Sequence, residues 1–243
     1  MRKPRIYQTI QTQAGDEIEL AEHAVKHLIQ VLRMREGEAF ILFNGQGQAW
    51  QARIASVSKR LAKALIEDCL TEDLESPLRV HLGLGVSKGE RMDYAIQKAV
   101  ELGVTEITPL FTRYSVVKLD EKRKDKRHQH WQGILVGACE QCGRNRLPVL
   151  HPAQDSTQWL DSLEADTKLT LDPRSGQSLA DLNDRPASIG LYIGPEGGLS
   201  EEEIDAAGRA GFTGIRLGPR ILRTETAAVA AITAVQMFWG DLS

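Results

Sequence analysis

The stretch Leu217-Gly218-Pro219-Arg220-Ile221-Leu222-Arg223-Thr224-Glu225-Thr226-Ala227-Ala228 decides how the last third of the chain is read. It opens as the end of an apolar run, breaks at Gly-Pro, and continues as a segment rich in Ala and Val. Pro219 has no N–H for a strand ladder and biases Gly218 away from helix. Thr224 is placed to N-cap the apolar helix that runs on to about Trp239. A strand therefore ends, the chain bends, and a helix N-terminus emerges beside the bend. Such a place turns main-chain N–H and C=O groups toward a ligand. An ordinary strand-to-helix turn carries the same signature. A second turn of the same kind, Ile193-Gly194-Pro195-Glu196-Gly197-Gly198, favours the ligand. Its glycines permit positive φ and close backbone approach, and a structural turn has no need of an acid at Glu196. Together the turns point to a small molecule held by backbone groups at the C-terminal ends of parallel strands.

Composition narrows the choices. The 243 residues suffice for one large domain or two smaller ones, and 42% apolar residues supply a core. Aromatic residues are only 5%, too sparse for an obvious base-stacking platform, and the formal charge of -3 restricts any nucleic-acid site to a local patch. No apolar run approaches the roughly 20 residues of a membrane span. The basic start Met1-Arg2-Lys3-Pro4-Arg5 lacks the apolar segment of a signal peptide. Three cysteines fit reduced thiols in a cytoplasmic protein.

Two patterns follow one another along the chain. Residues 1–72 read as short strands and turns: a helical spacing over 21–32, a buried strand over 39–43, the hairpin signal Asn44-Gly45, and strands near 48–54 and 62–66. This is a small β-barrel pattern of RNA-binding size. Residues 72–77, acidic with a proline, read as a linker. From 73 to 243 strands and helices alternate, as in an α/β domain. Strands are predicted over 78–86, 104–111, 167–171, 188–193 and 214–217, with a strand edge at Val149-Leu150. Helices are predicted over 90–102, from the charge run at 118–127 to about Cys142, from the capping box at Ser200-Glu203 to 210, and over 226–238.

Several familiar chemistries drop out. Gly83-Leu84-Gly85-Val86-Ser87-Lys88-Gly89 follows a strand and precedes a helix, but its spacing fits neither a dinucleotide fingerprint nor a P-loop. A nucleotide-dependent oxidoreductase has no other support. Lys88 and Arg91 could instead meet phosphate at the helix start. Cys139-Glu140-Gln141-Cys142 lacks the further ligands of a zinc site and sits late in a helix, so small buried thiols are expected. The run Lys118, Lys122, Arg123, Lys124, Lys126, Arg127 with His128 and His130 reads as a solvated helix face or a phosphate contact. Its histidines have no acid at useful spacing. No metal ligand set and no hydrolase nucleophile motif is recognisable.

The two glycine-proline turns resemble the signatures of the ribosomal RNA small subunit methyltransferase E (RsmE) family, of the SPOUT class. So do Lys88-Gly89-Glu90-Arg91-Met92, Gln97-Lys98-Ala99-Val100-Glu101-Leu102-Gly103-Val104, Glu140-Gln141-Cys142-Gly143-Arg144, Arg5-Ile6-Tyr7 and His27-Leu28-Ile29-Gln30-Val31-Leu32-Arg33. The likeness spans essentially the whole chain, and Cys142 stands where a small residue is usual. It implies a PUA-like barrel over 1–72, a SPOUT α/β domain over 73–243 with a C-terminal trefoil knot, S-adenosyl-L-methionine bent in that knot, and a homodimer. The implied reaction is methylation of uridine N3 in the 16S rRNA of the small ribosomal subunit. A non-catalytic rRNA-binding assembly factor is the rival reading.

On this reading Leu171, Gly194, Glu196, Gly197, Gly198, Leu217, Gly218, Ile221, Leu222 and Thr224 surround the cofactor, with Leu217, Ile221 and Leu222 packing the adenine. Methyl transfer to N3 needs alignment and a deprotonated uracil, and a nearby cation favours that anion. Arg223, Arg220 and Arg91 are the catalytic candidates, with Lys98 also considered, and Glu101 or Glu225 could orient an arginine. RNA phosphates would be gripped by Arg2, Lys3, Arg5, Arg33, Arg35, Lys88 and Lys98, with Arg53 a further barrel candidate.

Overall fold

A computed structural model of the chain describes residues 3–58, 61–115, 121–182 and 185–242. The chain forms two compact units. The first holds Met1–Glu75 with Val136–Leu147, and the second holds Ser76–Leu135 with Pro148–Ser243. A single cut at 72/73 places residues 136–147 in the second; here they group with the first.

The first unit is a five-stranded sheet, among the described residues, built from β1 (Arg5–Tyr7), β2 (Glu17–Glu19), β3 (Ala39–Phe43), β4 (Ala49–Val57) and β5 (Ala62–Leu70) in the order β1-β3-β4-β5-β2. Asn44-Gly45 makes the turn from β3 to β4: Asn44 Oδ1 accepts from the N–H groups of Gln46 and Gln48 at 2.9 and 3.2 Å, and Gly45 sits at φ 76°. Alternation along β4 buries Trp50, Ala52 and Ile54, and along β5 it buries Ala62, Ala64 and Ile66. The helical spacing over 21–32 becomes α1 (Glu22–Val25) followed by a π-helical turn at Lys26–Val31. The acidic stretch read as a linker is tied down at its first part. Arg144 Nη2 meets Glu75 Oε2 at 2.5 Å, with side chains 5% and 14% exposed, and Asn145 Nδ2 donates to Glu72 O at 2.9 Å.

The second unit is a seven-stranded parallel sheet among the described residues. Its strands are β6 (Arg79–Gly85), β7 (Glu106–Phe111), β8 (Val149–Leu150), β9 (Gln154–Asp155), β10 (Thr167–Leu171), β11 (Ser188–Ile193) and β12 (Thr213–Ile215). Their order is β12-β10-β11-β6-β7-β8, with β9 also on β7. Every residue of β11 is buried, as a central parallel strand covered on both faces requires. The helices are α2 (Glu90–Glu101), α3 (Glu121–Cys142), whose residues from Val136 on group with the first unit, α4 (Ser156–Ser162), α5 (Glu201–Arg209) and α6 (Thr224–Trp239). Ser200 and Glu203 form the predicted capping box, with Ser200 Oγ accepting from Glu203 N–H at 3.2 Å.

Two local expectations are corrected. β12 stops at Ile215, two residues short of the predicted strand end at 217, because Arg216 N–H leaves the ladder for Gln177 O at 2.8 Å. Thr224 is not the N-cap of α6. The extended Arg223 (φ -67°, ψ 154°) takes that position without a side-chain cap, and Thr224 is the first helical residue. Cys139 is buried, and burial pushes its thiol up to about 12; Cys142 is only half-buried and Cys69 is exposed. The buried-thiol reading therefore holds in full for Cys139.

Gln236 is the polar node of the second unit. It is fully buried in α6, accepts from Ser76 Oγ at 2.7 Å, and donates to Leu102 O at 3.0 Å. Gln236→Leu leaves both partners unsatisfied and should lower stability by about 2–4 kcal/mol. A chemical-denaturation midpoint equal to wild type would contradict this role.

Candidate functional site: a cavity at the strand ends

The three loops that leave β10, β11 and β12 line one cavity of about 400 Å³. Parallel strands end on the same side, so their following loops meet there. The β10 loop contributes Leu171, Asp172 and Arg174, the β11 loop residues 193–199, and the β12 loop residues 215–218 with Arg220, Ile221 and Leu222. Pro173 of the β10 loop, Glu201 and Ile204 of α5, and Thr224 and Ala227 of α6 complete the lining. Two glycine features shape the site. Gly198 N–H donates to Pro195 O at 2.8 Å with Gly198 at φ 74°, which turns the β11 loop back on itself. A Cβ on Gly85, at the end of β6, would stand 2.4 Å from Pro195 N, so that loop lies directly against β6.

Every residue expected around a cofactor lines this cavity: Leu171, Gly194, Glu196, Gly197, Gly198, Leu217, Gly218, Ile221, Leu222 and Thr224. Ile221 does so at the rim, 88% exposed, while Leu217 and Leu222 are half-buried. Of the catalytic candidates, Arg220 lines the cavity. Arg223 is exposed at the start of α6, and Arg91 is exposed on α2. Neither appears in the lining.

The acid that orients an arginine is neither Glu101 nor Glu225. Glu101 pairs with Lys98 at 2.7 Å, and Glu225 Oε2 is buried without a hydrogen-bond partner among the described residues. Glu196 plays that part: its Oε1 accepts from Lys88 N–H at 3.0 Å and from Arg91 Nη1 at 3.1 Å. Burial alone would raise its pKa. The main-chain N–H groups of Glu196 and Lys88, with the Arg91 guanidinium, outweigh burial and hold the carboxyl below its ordinary range.

A second charged cluster escaped the sequence reading. Arg174 bridges Asp172 Oδ1 at 3.3 Å and Glu201 Oε1 at 3.0 Å across the cavity wall. The available signal was Leu171-Asp172-Pro173, an Asp-Pro turn directly after a strand.

The expected RNA contacts are dispersed. Arg2 lies outside the described residues. In the first unit, Arg33 and Arg35 are exposed, and Arg33 holds φ 58°, the one positive φ outside glycine among the described residues. Lys3 Nζ donates to Gln51 Oε1. Arg5 is half-buried, donates to Asn145 Oδ1 at 2.6 Å and lies 5.1 Å over the Phe43 ring. Arg53 pairs with Glu67 at 2.8 Å. In the second unit, Lys88 is exposed and Lys98 is paired with Glu101. Of the basic run, Lys118 lies outside the described residues. Lys122, Arg123 and Lys126 are exposed on α3, and Lys124 reaches over the Phe111 ring at 5.4 Å. His130 does have an acid: Asp93 of α2, at 2.8 Å.

His81, Glu106 and His151 form a further cluster near the starts of β6 and β7, away from the cavity. Glu106 Oε2 lies 2.8 Å from His151 Nε2 and 3.7 Å from His81 Nδ1. By type these groups could hold a divalent metal. The hydrogen bonds favour another reading. Trp159 Nε1, which can only donate, points at His81 Nε2 at 3.2 Å, and that nitrogen also lies 2.7 Å from Thr108 Oγ1. Accepting at Nε2 leaves the neutral ring's proton on Nδ1, the nitrogen a metal would need. His81 is thus held by Trp159 and Thr108, and Glu106 is hydrogen-bonded to His151.

Comparison with known proteins agrees with this architecture. Residues 74–236 match the model of an RNA methyltransferase domain, and residues 20–67 match that of an RNA methyltransferase PUA domain. The chain is thus of the RNA methyltransferase class that carries a PUA domain. It is 38% identical over 243 residues to the ribosomal RNA small subunit methyltransferase E of Buchnera aphidicola subsp. Schizaphis graminum, covering 100% of this chain and 99% of that one. It is 31% identical to the Bacillus subtilis protein of the same name over 220 residues, covering 87% and 86%. The crystal structure of the Neisseria gonorrhoeae methyltransferase E bound to S-adenosyl methionine superposes with a TM-score of 0.94 at 40% identity, covering 100% of both chains. The chain belongs to the RsmE family.

His81 generates a pH test. Burial is the main cause that lowers its pKa from 6.5 to about 4; Glu106 opposes the shift and His151 adds to it. An unfolded His81 binds a proton as pH falls through 6.5, while the folded one stays neutral until about 4. The stabilisation is complete above 6.5 and is lost progressively down to about 4. His81→Gln should flatten this part of the stability profile, measured by denaturation between those limits. A wild-type profile flat across the same window would contradict the assignment.

Proposed function

We propose that this chain transfers a methyl group from S-adenosyl-L-methionine to N3 of a uridine in the 16S rRNA of the small ribosomal subunit, working in the cytoplasm as a homodimer. The observation that carries the reading is the cavity at the ends of β10, β11 and β12, whose lining contains every residue expected to hold the donor. It is supported by the family and by the methionine-donor complex of the Neisseria relative. The division into a barrel over 1–72 and a knotted domain over 73–243 belongs to the same proposal. Its support is membership of the family. For the homodimer, the support is apolar surface: one face of α6 packs inward, while Met237 and Phe238 at its end and Tyr94 on α2 stay about half exposed.

The loop backbones do the gripping. Leu217 and Leu222 pack the adenine and main-chain groups read its edge. The sulfonium methyl is then presented in line to the uracil nitrogen. The N3 proton is weakly acidic, and a guanidinium beside O2 or O4 stabilises the anion that attacks. We assign that task to Arg220 on the cavity wall and Arg223 at the start of α6. RNA phosphates are met by exposed cations, Arg33, Arg35 and Lys88 foremost.

The reaction is tested with the full chain, S-adenosyl-L-methionine and small subunits from cells lacking the protein. Nucleoside mass spectrometry should show new 3-methyluridine. Arg223→Ala should cut turnover at least ~10-fold, as loss of one charge-stabilising donor does, with donor affinity within about twofold of wild type. Turnover close to wild type would remove Arg223 from the chemistry, and no methyluridine with the wild-type chain would contradict the reading.

A further inference from the structure

Glu196 is the one side chain of the glycine-proline turn that reaches out of its own loop. Glu196 lines the cavity, and its carboxylate hydrogen-bonds to the loop that joins β6 to α2 and to the first turn of α2. One oxygen, Oε1, accepts from the N–H of Lys88 and from Arg91 Nη1. The two loops are already in contact at Gly85 and Pro195, so the acid adds a charged clasp to a packed seam. The Glu196 side chain is 22% exposed and that of Arg91 is 47% exposed. The acid is thus partly shielded while the guanidinium stands in solvent. The hydrogen bond to Glu196 uses Nη1; Nε and Nη2 lie on the rest of a planar fork suited to a phosphate.

We infer that Glu196 is a positioning residue for RNA rather than a contact to the methyl donor: it holds Arg91 at the margin of the donor cavity, where Arg91 engages a backbone phosphate of the RNA. This rests on the methyl-transfer reading above and deepens it. The same loop that wraps the donor with its main chain fixes the substrate-gripping arginine with its side chain. Donor site and RNA site are thereby set in register by one residue. Arg91 takes its place as a phosphate ligand and not as a group acting on the uracil.

The test is a double-mutant cycle on the full chain with Arg91→Ala, Glu196→Gln and the pair together. RNA affinity is read with a small-subunit rRNA fragment, and donor affinity by calorimetry. Glu196→Gln keeps an acceptor for Lys88 N–H while removing the charge that holds Arg91. Each single variant should weaken RNA binding about 5- to 10-fold and lower the salt dependence of binding by up to about one counterion. The double variant should be no weaker than Arg91→Ala alone, because the acid acts only through the arginine. Arg91→Lys, which keeps the charge without the fork, should recover part of the loss. In each variant donor affinity should fall by less than RNA affinity. The inference is overturned if Glu196→Gln weakens donor binding more than RNA binding, or if the two losses multiply in the double variant. Both affinities are measured without turnover, so a wild-type chain that binds RNA and donor but transfers no methyl group would sink the reaction assigned above and leave this coupling standing.

Discussion

The structure depends on how closely the end of β6 and the loop after β11 approach each other. Gly85 makes that possible, since a Cβ there would fall 2.4 Å from Pro195 N. With the two in contact, the glycine-rich turn folds over the end of the parallel sheet instead of splaying into solvent. The β10 and β12 loops close from the other side, and a cavity forms where three strand ends meet. The buried run of β11 supplies the rigidity, because a strand covered on both faces cannot shift without exposing its whole length. The loop that follows it is held by the Gly198 N–H to Pro195 O bond and by the contact with Gly85, and constraint of this kind reduces the entropy lost on binding.

The division of labour follows from that geometry. Main-chain groups and apolar side chains such as Leu171, Leu217 and Leu222 line the cavity, which suits a cofactor recognised by shape and by its edges. Asp172, Arg174, Arg216 and Arg220 share the lining, while Arg91 is held by Glu196 and Arg223 is exposed at the start of α6. A methyl transfer asks little more of the side chains, since the donor carries its own leaving group. The first unit has a different character. Its sheet buries Trp50, Phe40 and Leu42, and it leaves Arg33 and Arg35 exposed after a π-helical turn, with Arg33 in a left-handed conformation. Holding a bulky residue there costs conformational energy, and such cost is usually found where a side chain has a task.

Much of this was legible in the residues. The turn at Gly194-Pro195 marked the end of β11, the turn at Gly218-Pro219 fell three residues past the end of β12, and the shift from short strands to alternating strands and helices marked the change of architecture. The features that escaped depend on distant partners. Glu196 could be singled out as an acid without a structural reason, but its partners Lys88 and Arg91 lie more than a hundred positions earlier, and no local pattern connects them. His130 appeared to lack an acid because Asp93 comes from another helix. Residues 136–147 read as the end of one long helix and its sequel. Their grouping with the first unit rests on contacts such as Arg144 with Glu75 and Arg5 with Asn145, which no periodicity reveals. Thr224 had the chemistry of a cap, yet the extended chain through Arg223 started the helix one residue earlier than a Thr224 cap would.

On the proposed function, three loops of the second unit bind the methyl donor largely through their backbones. Amide hydrogen exchange of the full chain, with and without saturating S-adenosyl-L-methionine, tests it at the atoms concerned. Exchange should slow by about tenfold or more at residues 194–198 and 216–224, and change little in the five-stranded sheet of the first unit. Unchanged exchange at both loops in the presence of saturating donor would contradict the account.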